Sequence, residues 1–263
     1  IVNAEIKQVF PLMFIALAIF ALAFVVILIT NIPENERVEK SAEQPKEQYG
    51  PMSFRHFVLG AVAIFIYVGV EVGIPNVLQK WLQNGGLSVE SGAEGIAATV
   101  AATYWLLMLV GRLTGAALGA KVSAKSMLTA VSVIGLGLVL GAMFLDPAIS
   151  VNLPVFKGTA GFGMENVPIN AALLVLCGLC TSVMWGGIFN LAVEGLGKYT
   201  EKASGIFMAL VCGGGILPLL QNYVVDIAGN YLVSYWVIVA GLVFLLYYAL
   251  VGSKNVNKDI PTE

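Results

Sequence analysis

Long apolar stretches separated by polar segments dominate this chain of 263 residues. A helix needs about 20 mainly apolar residues to cross the roughly 30 Å hydrocarbon core of a bilayer. The strands of a membrane barrel would instead show about ten residues of strict alternation. The pattern therefore predicts an all-α polytopic membrane protein with seven transmembrane helices. These helices are expected at residues 10–30, 57–78, 96–118, 127–144, 167–193, 205–225 and 234–251.

Two polar segments divide the predicted helices unequally. Residues 31–53 contain five Glu, three basic residues and three Pro, which is typical of a solvated linker. Residues 145–166 contain two Pro and three Gly, and we expect an exposed loop there. The predicted organisation is a transmembrane helix within 1–30, a linker at 31–53, a six-helix bundle at 54–252 and a tail at 253–263.

Composition agrees with a membrane location and excludes several function classes. The chain is 58% hydrophobic and 11% charged, whereas soluble domains are about a quarter charged. A net charge of -2 gives no reason to expect a nucleic-acid partner. The three cysteines lie in apolar runs without a neighbouring His, so no disulfide framework, metal site or cofactor is predicted. The aspartates lie at helix ends or in the tail, so the paired acids of an intramembrane protease are not expected within the helices. The last helix has no Lys that could form a Schiff base, so a retinal protein is not expected either.

The basic residues predict how the helices are oriented. Eleven of the 14 Lys and Arg residues fall on the side of the linker and the C-terminus, and three fall on the other side. Because cytoplasmic loops are enriched in Lys and Arg, the linker and the C-terminus are predicted to be cytoplasmic. Ile1 then begins on the outer side without a visible signal peptide, and we expect earlier helices to precede it.

Glu71 is an acid well inside the second predicted helix. A carboxylate there costs at least a few kcal/mol unless it is protonated, paired or hydrated. Steps of four residues from Tyr67 through Glu71 and Pro75 to Gln79 trace one polar stripe, which predicts a face toward a cavity or a partner. Pro75 should weaken or kink the helix at this depth. A protonated Glu71 that only hydrogen-bonds to a neighbouring helix is the structural alternative.

Amides and aromatic rings on other helices extend this candidate site. The fifth predicted helix has Asn190 on a stripe of small residues beside Trp185, and the sixth has Gln221 and Asn222 near three glycines and a proline. Polar acceptors beside an aromatic platform suit a sugar, which offers hydroxyls and an apolar face. Close helix packing explains the small residues of the fifth helix equally well. The glycines and the proline of the sixth are explained better by a flexible, pore-lining helix than by a rigid core helix. The predicted solute site consists of Glu71, Asn76, Trp105, Trp185, Asn190, Gln221 and Asn222.

Two further charges lie near the predicted cytoplasmic ends of their helices. Arg112 is in the third predicted helix and Glu194 is at the end of the fifth. Each is too deep to be left unpaired without a large cost. We therefore expect Arg112 and Glu194 to pair and to act as a latch for one conformation.

The chain resembles the second half of sugar/proton symporters of the major facilitator superfamily, and within it the fucose and glucose/galactose transporter family. Four runs carry the resemblance, namely FIYVGVEVGIPNVLQKWL, YWLLMLVGRLTGAALGAKV, SVMWGGIFNLAVEGLGKYTEKASG and GGGILPLLQ. It covers essentially the whole chain. YVGVEV, which contains Glu71, and EGLG are its moderately specific motifs.

The resemblance implies that the seven helices correspond to helices six to twelve of a transporter. It implies transport of a hexose or 6-deoxyhexose by alternating access, with protons as the coupling ion and an N-terminal six-helix half as partner. The family's proton-carrying acids lie in helices that this chain does not include, so none is assigned here. The resemblance also implies an integral protein of the bacterial inner membrane. A membrane scaffold or assembly subunit without transport activity is the alternative.

Overall fold

The computed structural model describes residues 2–30, 49–87, 92–156, 161–257 and 259–262, in two units. The first unit is described by a single helix, α1 (Val2–Ile29), which contains Pro11. It includes the first helix that the sequence predicts. The predicted linker lies mostly outside the described residues, apart from one 3₁₀ turn at Pro51–Ser53.

The second unit contains six helical segments that are long and apolar enough to cross a membrane, among the residues that the structure describes. In α1, a shorter apolar stretch covers Met13–Ile29. This confirms the predicted all-α architecture. The elements of the second unit are α2 (Arg55–Trp81), α3 (Ala93–Gly119), α4 (Ala124–Phe144), β1 (Ser150–Phe156), β2 (Phe162–Pro168), α5 (Ile169–Thr181), α6 (Met184–Val193), α7 (Thr200–Ala209), α8 (Gly213–Ala228) and α9 (Trp236–Tyr247).

Hydrogen bonds join helix termini at one end of the second unit. The backbone amide of Arg55, the first residue of α2, donates to Asn257 Oδ1 at 3.0 Å. The ring Nε2 of His56 lies 2.9 Å from the carbonyl oxygen of Glu194, just after α6. The start of α2, the end of α6 and the C-terminal segment therefore meet at the same end. His56 is completely buried there, among these chain segments.

The helix α2 occupies the centre of the six-span unit, because 16 of its 27 residues are buried. Glycines bring its neighbour α8 very close. A Cβ atom at Gly213 would overlap the backbone carbonyl of Phe65, and one at Gly69 would overlap the side chain of Leu217. Helices in membranes associate by such close van der Waals contact, which small residues permit. The glycine of α8 that contacts Phe65 thus serves packing rather than a flexible pore lining.

The segment 145–166, predicted as an exposed loop, largely forms a β-hairpin with the residues that follow it. The strands β1 and β2 pair antiparallel, from Ser150 opposite Pro168 to Phe156 opposite Phe162. The prediction was wrong because Pro and Gly in this segment obscured the alternation of its apolar residues. An exposed proline, Pro154, is tolerated because each strand of a two-stranded sheet is an edge strand.

Two of the predicted continuous helices are interrupted, whereas α2 is not. The fifth span is broken at Ser182 and Val183, between α5 and α6, and the sixth tightens to a 3₁₀ turn at Leu210–Cys212 before α8. In contrast, α2 continues through Pro75. Proline removes one helical hydrogen bond, and burial of α2 on several sides stabilises the helix despite that loss.

The contact between Gly213 and Phe65 gives a matched test of the packing. We expect Gly213→Ala in the intact protein to lower the free energy of unfolding by about 1–3 kcal/mol, the usual cost of overpacking. Gly215→Ala is the control, because no atom of the described residues lies within 4 Å of a Cβ atom placed there. It should keep the free energy of unfolding or raise it by up to about 1 kcal/mol, since alanine favours a helix over glycine. The free energy of unfolding of both variants is measured by titration with SDS. Equal effects of the two substitutions would contradict the proposed close packing of α8 on α2.

Candidate functional site

An ion pair between α2 and α3 forms the centre of the candidate site. Arg112 Nη2 lies 3.1 Å from Glu71 Oε1, and the side chains are 54% and 10% exposed, respectively. The guanidinium also approaches the sulfur of Met108 at 3.9 Å. The carboxylate is therefore almost enclosed, whereas the guanidinium remains accessible from one side. Such a pair satisfies the charge of Glu71 and leaves hydrogen-bonding groups of Arg112 available to a ligand.

Two tyrosines connect this pair to the break in the fifth span. Tyr67, one turn before Glu71, donates its hydroxyl to the carbonyl oxygen of Thr181 at 3.1 Å. The hydroxyl of Tyr104 lies 2.9 Å from Thr181 Oγ1. Both rings are completely buried. Helices α2 and α3 thus both contact the last residue of α5, where the helix is interrupted.

A cavity lies beside the ion pair, between α3, α4 and the fifth span. Its volume is about 320 Å³, and its lining includes Arg112, Ser182, Gly186 and Asn190. Asn190 also borders a second cavity of about 820 Å³, whose lining includes Glu194. The two cavities follow α6 from Arg112 toward the end of the unit where the C-terminal segment lies. Glycine opens this route, because nothing lies within 4 Å of a Cβ atom at Gly186.

The two predicted tryptophans lie on α3 and α6. Trp185, at the start of α6, is half-buried, and its ring centroid is 6.2 Å from that of Tyr67 in an edge-on arrangement. Trp105 is 42% exposed and precedes Arg112 by two turns of α3, which places both on the same helix face, about 10 Å apart along the axis. Glu71 therefore contacts Arg112 and Asn190 lines the same cavity, whereas both tryptophans lie outside the lining of that cavity.

The other three predicted residues lie further along α2 and α8. Asn222 Nδ2 donates to Asn76 Oδ1 at 3.3 Å, and Lys80 Nζ donates to Asn222 Oδ1 at 2.9 Å. Gln221 is completely buried, and neither of its side-chain polar atoms is hydrogen-bonded to a residue that the structure describes. Its Oε1 would contact a Cβ atom at Gly73. The seven predicted residues thus separate into Glu71 and Asn190 beside Arg112, the two tryptophans, an amide pair with a lysine, and the buried Gln221.

The predicted pairing of Arg112 with Glu194 is wrong, because Arg112 pairs with Glu71 instead. Arg112 precedes the last residue of α3 by two turns, about 10 Å along the axis, whereas Glu194 follows the last residue of α6 and is exposed. The two charges therefore lie at different depths. The positions of Glu71 and Arg112 within predicted helices show from the sequence that both charges need partners. Residue spacing does not show that they pair with each other.

Comparison with known proteins identifies the family. The profile of the Major Facilitator Superfamily matches residues 6–217. The chain belongs to this superfamily. This confirms the resemblance seen in the sequence, and because members of the superfamily are transporters, it also confirms that the chain is not an enzyme.

Relatives of this superfamily member are sugar carriers by name. The chain is 29% identical over 258 residues to a glucose/galactose transporter of Brucella abortus biovar 1 (strain 9-941), covering 97% of this chain and 56% of the relative. It is 24% identical over 220 residues to the L-fucose-proton symporter of Escherichia coli (strain K12), covering 82% and 45%. The chain thus spans about half the length of these curated relatives.

A solved structure supports the fold of this superfamily member. The chain matches the crystal structure of a variant of the E. coli fucose:proton symporter FucP with a TM-score of 0.71 at 21% identity. The match covers 94% of this chain and 56% of that chain.

The unequal exposure of the two charges predicts unequal effects of removing them. Arg112→Gln leaves an almost enclosed carboxylate without its partner, and we expect the free energy of unfolding to fall by about 1–3 kcal/mol. Glu71→Gln leaves a half-exposed guanidinium that water can reach, so its cost should be below about 1 kcal/mol.

The double variant Glu71→Gln/Arg112→Gln completes the cycle. It should recover most of the stability lost in Arg112→Gln, because the unpaired carboxylate is gone. Arg55→Gln is the control, since the exposed side chain of Arg55 is hydrogen-bonded, among the residues that the structure describes, to Tyr247 alone, at 3.3 Å. Unfolding in SDS titrations of the intact protein measures all four variants. Additive losses in the double variant would show that the two charges do not interact.

Proposed function

We propose that this chain is the C-terminal part of a secondary active transporter that moves a monosaccharide, a hexose or 6-deoxyhexose, by alternating access and is coupled to protons. The names of its relatives support a sugar as the solute, and one of them is a proton symporter. The partner in this proposal is an N-terminal six-helix half, because the chain spans about half of its relatives. A scaffold without transport activity is not favoured by relatives that carry transporter names.

The Glu71–Arg112 ion pair beside a cavity is the observation that carries the proposal. The guanidinium of Arg112 lines the cavity, and the carboxylate of Glu71 lies directly behind it, in a largely apolar setting where hydrogen bonds to charged groups are stronger than neutral ones. A sugar hydroxyl can donate to a carboxylate oxygen and accept from a guanidinium N–H at the same time. The pair therefore matches the chemistry of adjacent hydroxyls on a pyranose ring.

The remaining predicted residues supply orientation in the proposed site. Trp105 shares a helix face with Arg112 and offers an indole surface for the apolar face of a sugar. The amide of Asn190 can both donate and accept, across the cavity that Arg112 lines. Asn76 of α2 and Asn222 of α8 are hydrogen-bonded to each other and form a second polar group of the proposed site. The buried Gln221 belongs to the wall of the proposed site.

The proposed orientation follows the charge distribution. With the C-terminus in the cytoplasm of a bacterial cell, the cavities along α6 lead toward the cytoplasmic side. Solute leaving the ion pair would then pass Gly186 and Asn190 on its way out. Glu71 is also the acid in this half from which a proton could be gained or lost as the cavity is hydrated and closed.

We expect Glu71→Gln in the intact transporter to weaken sugar binding by at least about 1 kcal/mol, roughly fivefold, because a charge-assisted hydrogen bond is lost. Equilibrium binding and counterflow of D-glucose, D-galactose and L-fucose in proteoliposomes measure the effect. Glu94→Gln is the matched control, since Glu94 is an exposed acid in the first turn of α3.

The same assay separates binding from coupling. If Glu71 acts in proton coupling, Glu71→Gln should preserve sugar exchange while abolishing accumulation against a gradient. Unchanged binding together with unchanged accumulation would contradict the proposed site. A wild-type transporter that neither binds nor exchanges these sugars would contradict the proposed monosaccharide substrate.

A further inference from the structure

A separate cavity lies at the opposite end of the unit from the C-terminal segment. Its volume is about 600 Å³, and it lies between the end of α2, the turn that follows α4 and the β-hairpin. This volume is within the range of about 300–1,000 Å³ that is typical of small-molecule sites. Its lining includes Trp81, Gly85, Gly86, Ser150, Glu165 and Asn166. None of the seven residues of the predicted solute site borders it.

Trp81 forms the aromatic side of this cavity, and two glycines shape the backbone next to it. Trp81 is the last residue of α2, and the chain continues in a wide helical turn, Leu82–Gly86. A Cβ atom at Gly86 would lie 2.9 Å from the Trp81 carbonyl oxygen and 3.1 Å from indole Cε2. Gly85 has a φ of 108°, which side chains with a Cβ atom rarely adopt. The two glycines therefore let the backbone fold against the indole without placing side chains over it.

Polar groups lie on the hairpin side of the same cavity. Ser150 begins β1, and Asn166 lies on the same face of the hairpin, because Ser150 pairs with Pro168 and Asn152 pairs with Asn166. The side chain of Glu165, the preceding residue of β2, lies on the other face. Ser150 and Asn166 provide a hydroxyl and an amide, which together can accept and donate several hydrogen bonds. An indole facing such groups is the combination that suits a sugar, with its apolar face and its ring of hydroxyls.

The polar wall is held in place by backbone and side-chain hydrogen bonds. The amide of Ile169 donates to the carbonyl of Ile149 at 2.8 Å, which closes the base of the hairpin. Asn170 Nδ2 donates to the carbonyls of Ala142 and Leu145 at 2.8 and 2.9 Å, which ties α5 to the end of α4. The cavity is therefore bounded by an anchored hairpin, and a binding site on it would be largely preformed.

We propose that this cavity is a second, peripheral monosaccharide-binding site, with Trp81 as stacking platform and Ser150 and Asn166 as hydrogen-bonding groups. The proposal rests on the proposed function, because it takes the transported sugar as its ligand. In the proposed orientation the cavity opens on the outer side. The peripheral site would hold sugar before it reaches the Glu71–Arg112 pair, with lower affinity because fewer charged groups face it.

The experiment measures sugar binding to the intact transporter in nanodiscs by saturation-transfer difference NMR, with D-glucose, D-galactose and L-fucose as probes. Glu71→Gln weakens the central site about fivefold, so the share of the signal that comes from the peripheral site is larger in that background, where the hairpin variants are compared. We expect the saturable signal that remains in Glu71→Gln to lose at least about threefold in apparent affinity on Trp81→Ala, the effect of removing one aromatic contact. Asn166→Ala, at an exposed position, should weaken it as well without disturbing the fold.

Trp236→Ala is the matched control. Trp236 is 51% exposed, packs edge-on against Phe144 with ring centroids 6.2 Å apart, and does not border the cavity. Its replacement should leave the remaining signal unchanged. Melting curves of every variant verify that the protein is folded, and Asn166→Ala decides the outcome if Trp81→Ala does not fold.

The possible outcomes distinguish the two sites. If no saturable signal remains in Glu71→Gln, or if Trp81→Ala and Asn166→Ala leave it unchanged, the peripheral site is overturned while the central site stands. If Glu71→Gln binds sugar as the wild type does and the hairpin variants abolish binding, the peripheral site stands and the central site is overturned. A wild type that binds none of the three sugars overturns both proposals.

Discussion

The ion pair between Glu71 and Arg112 joins two helices at a depth where an unpaired carboxylate would be costly. In a bilayer, an enclosed carboxylate cannot rely on bulk water, so it must find a partner, a proton or a hydrated cavity. Here the carboxylate is enclosed and finds its partner in a guanidinium that is half-exposed beside a cavity. The pairing therefore constrains how α2 and α3 are rotated toward each other. It also places the guanidinium at the cavity of the proposed solute site.

The packing around this pair follows from the same shortage of water. Backbone polar groups at the interruption between α5 and α6 need partners, and Tyr67 supplies a hydroxyl for the carbonyl of Thr181. On the other side of α2, the contact of Gly213 with the Phe65 backbone brings α8 close. Contacts of both kinds converge on α2, which explains why that helix remains continuous through Pro75.

The cavity beside Arg112 and the cavity beside Trp81 are formed by different kinds of structural element. The cavity beside Arg112 lies between transmembrane helices, so its shape depends on how those helices pack. The cavity beside Trp81 lies between a helix end and a β-hairpin anchored through Ile169, so its shape depends on local hydrogen bonds. A transporter that changes conformation by moving bundles would alter the first more than the second. This difference fits a transport site and a peripheral binding site, respectively.

The sequence by itself determined the fold class, the family and the polar residues that require an explanation. Hydrophobic length decides where helices can cross a bilayer, and the cost of a buried charge identifies Glu71 and Arg112 without any knowledge of contacts. Only the tertiary structure decided which charge pairs with which, because depth and rotation of neighbouring helices are not encoded in residue spacing along one chain segment. For the same reason Glu194 was wrongly chosen as the partner of Arg112. The helix interruption at Ser182 also required the structure, since the hydroxyl that bonds to the Thr181 carbonyl comes from Tyr67 on a different helix. The hairpin required it because Pro and Gly obscure the alternation of its apolar residues.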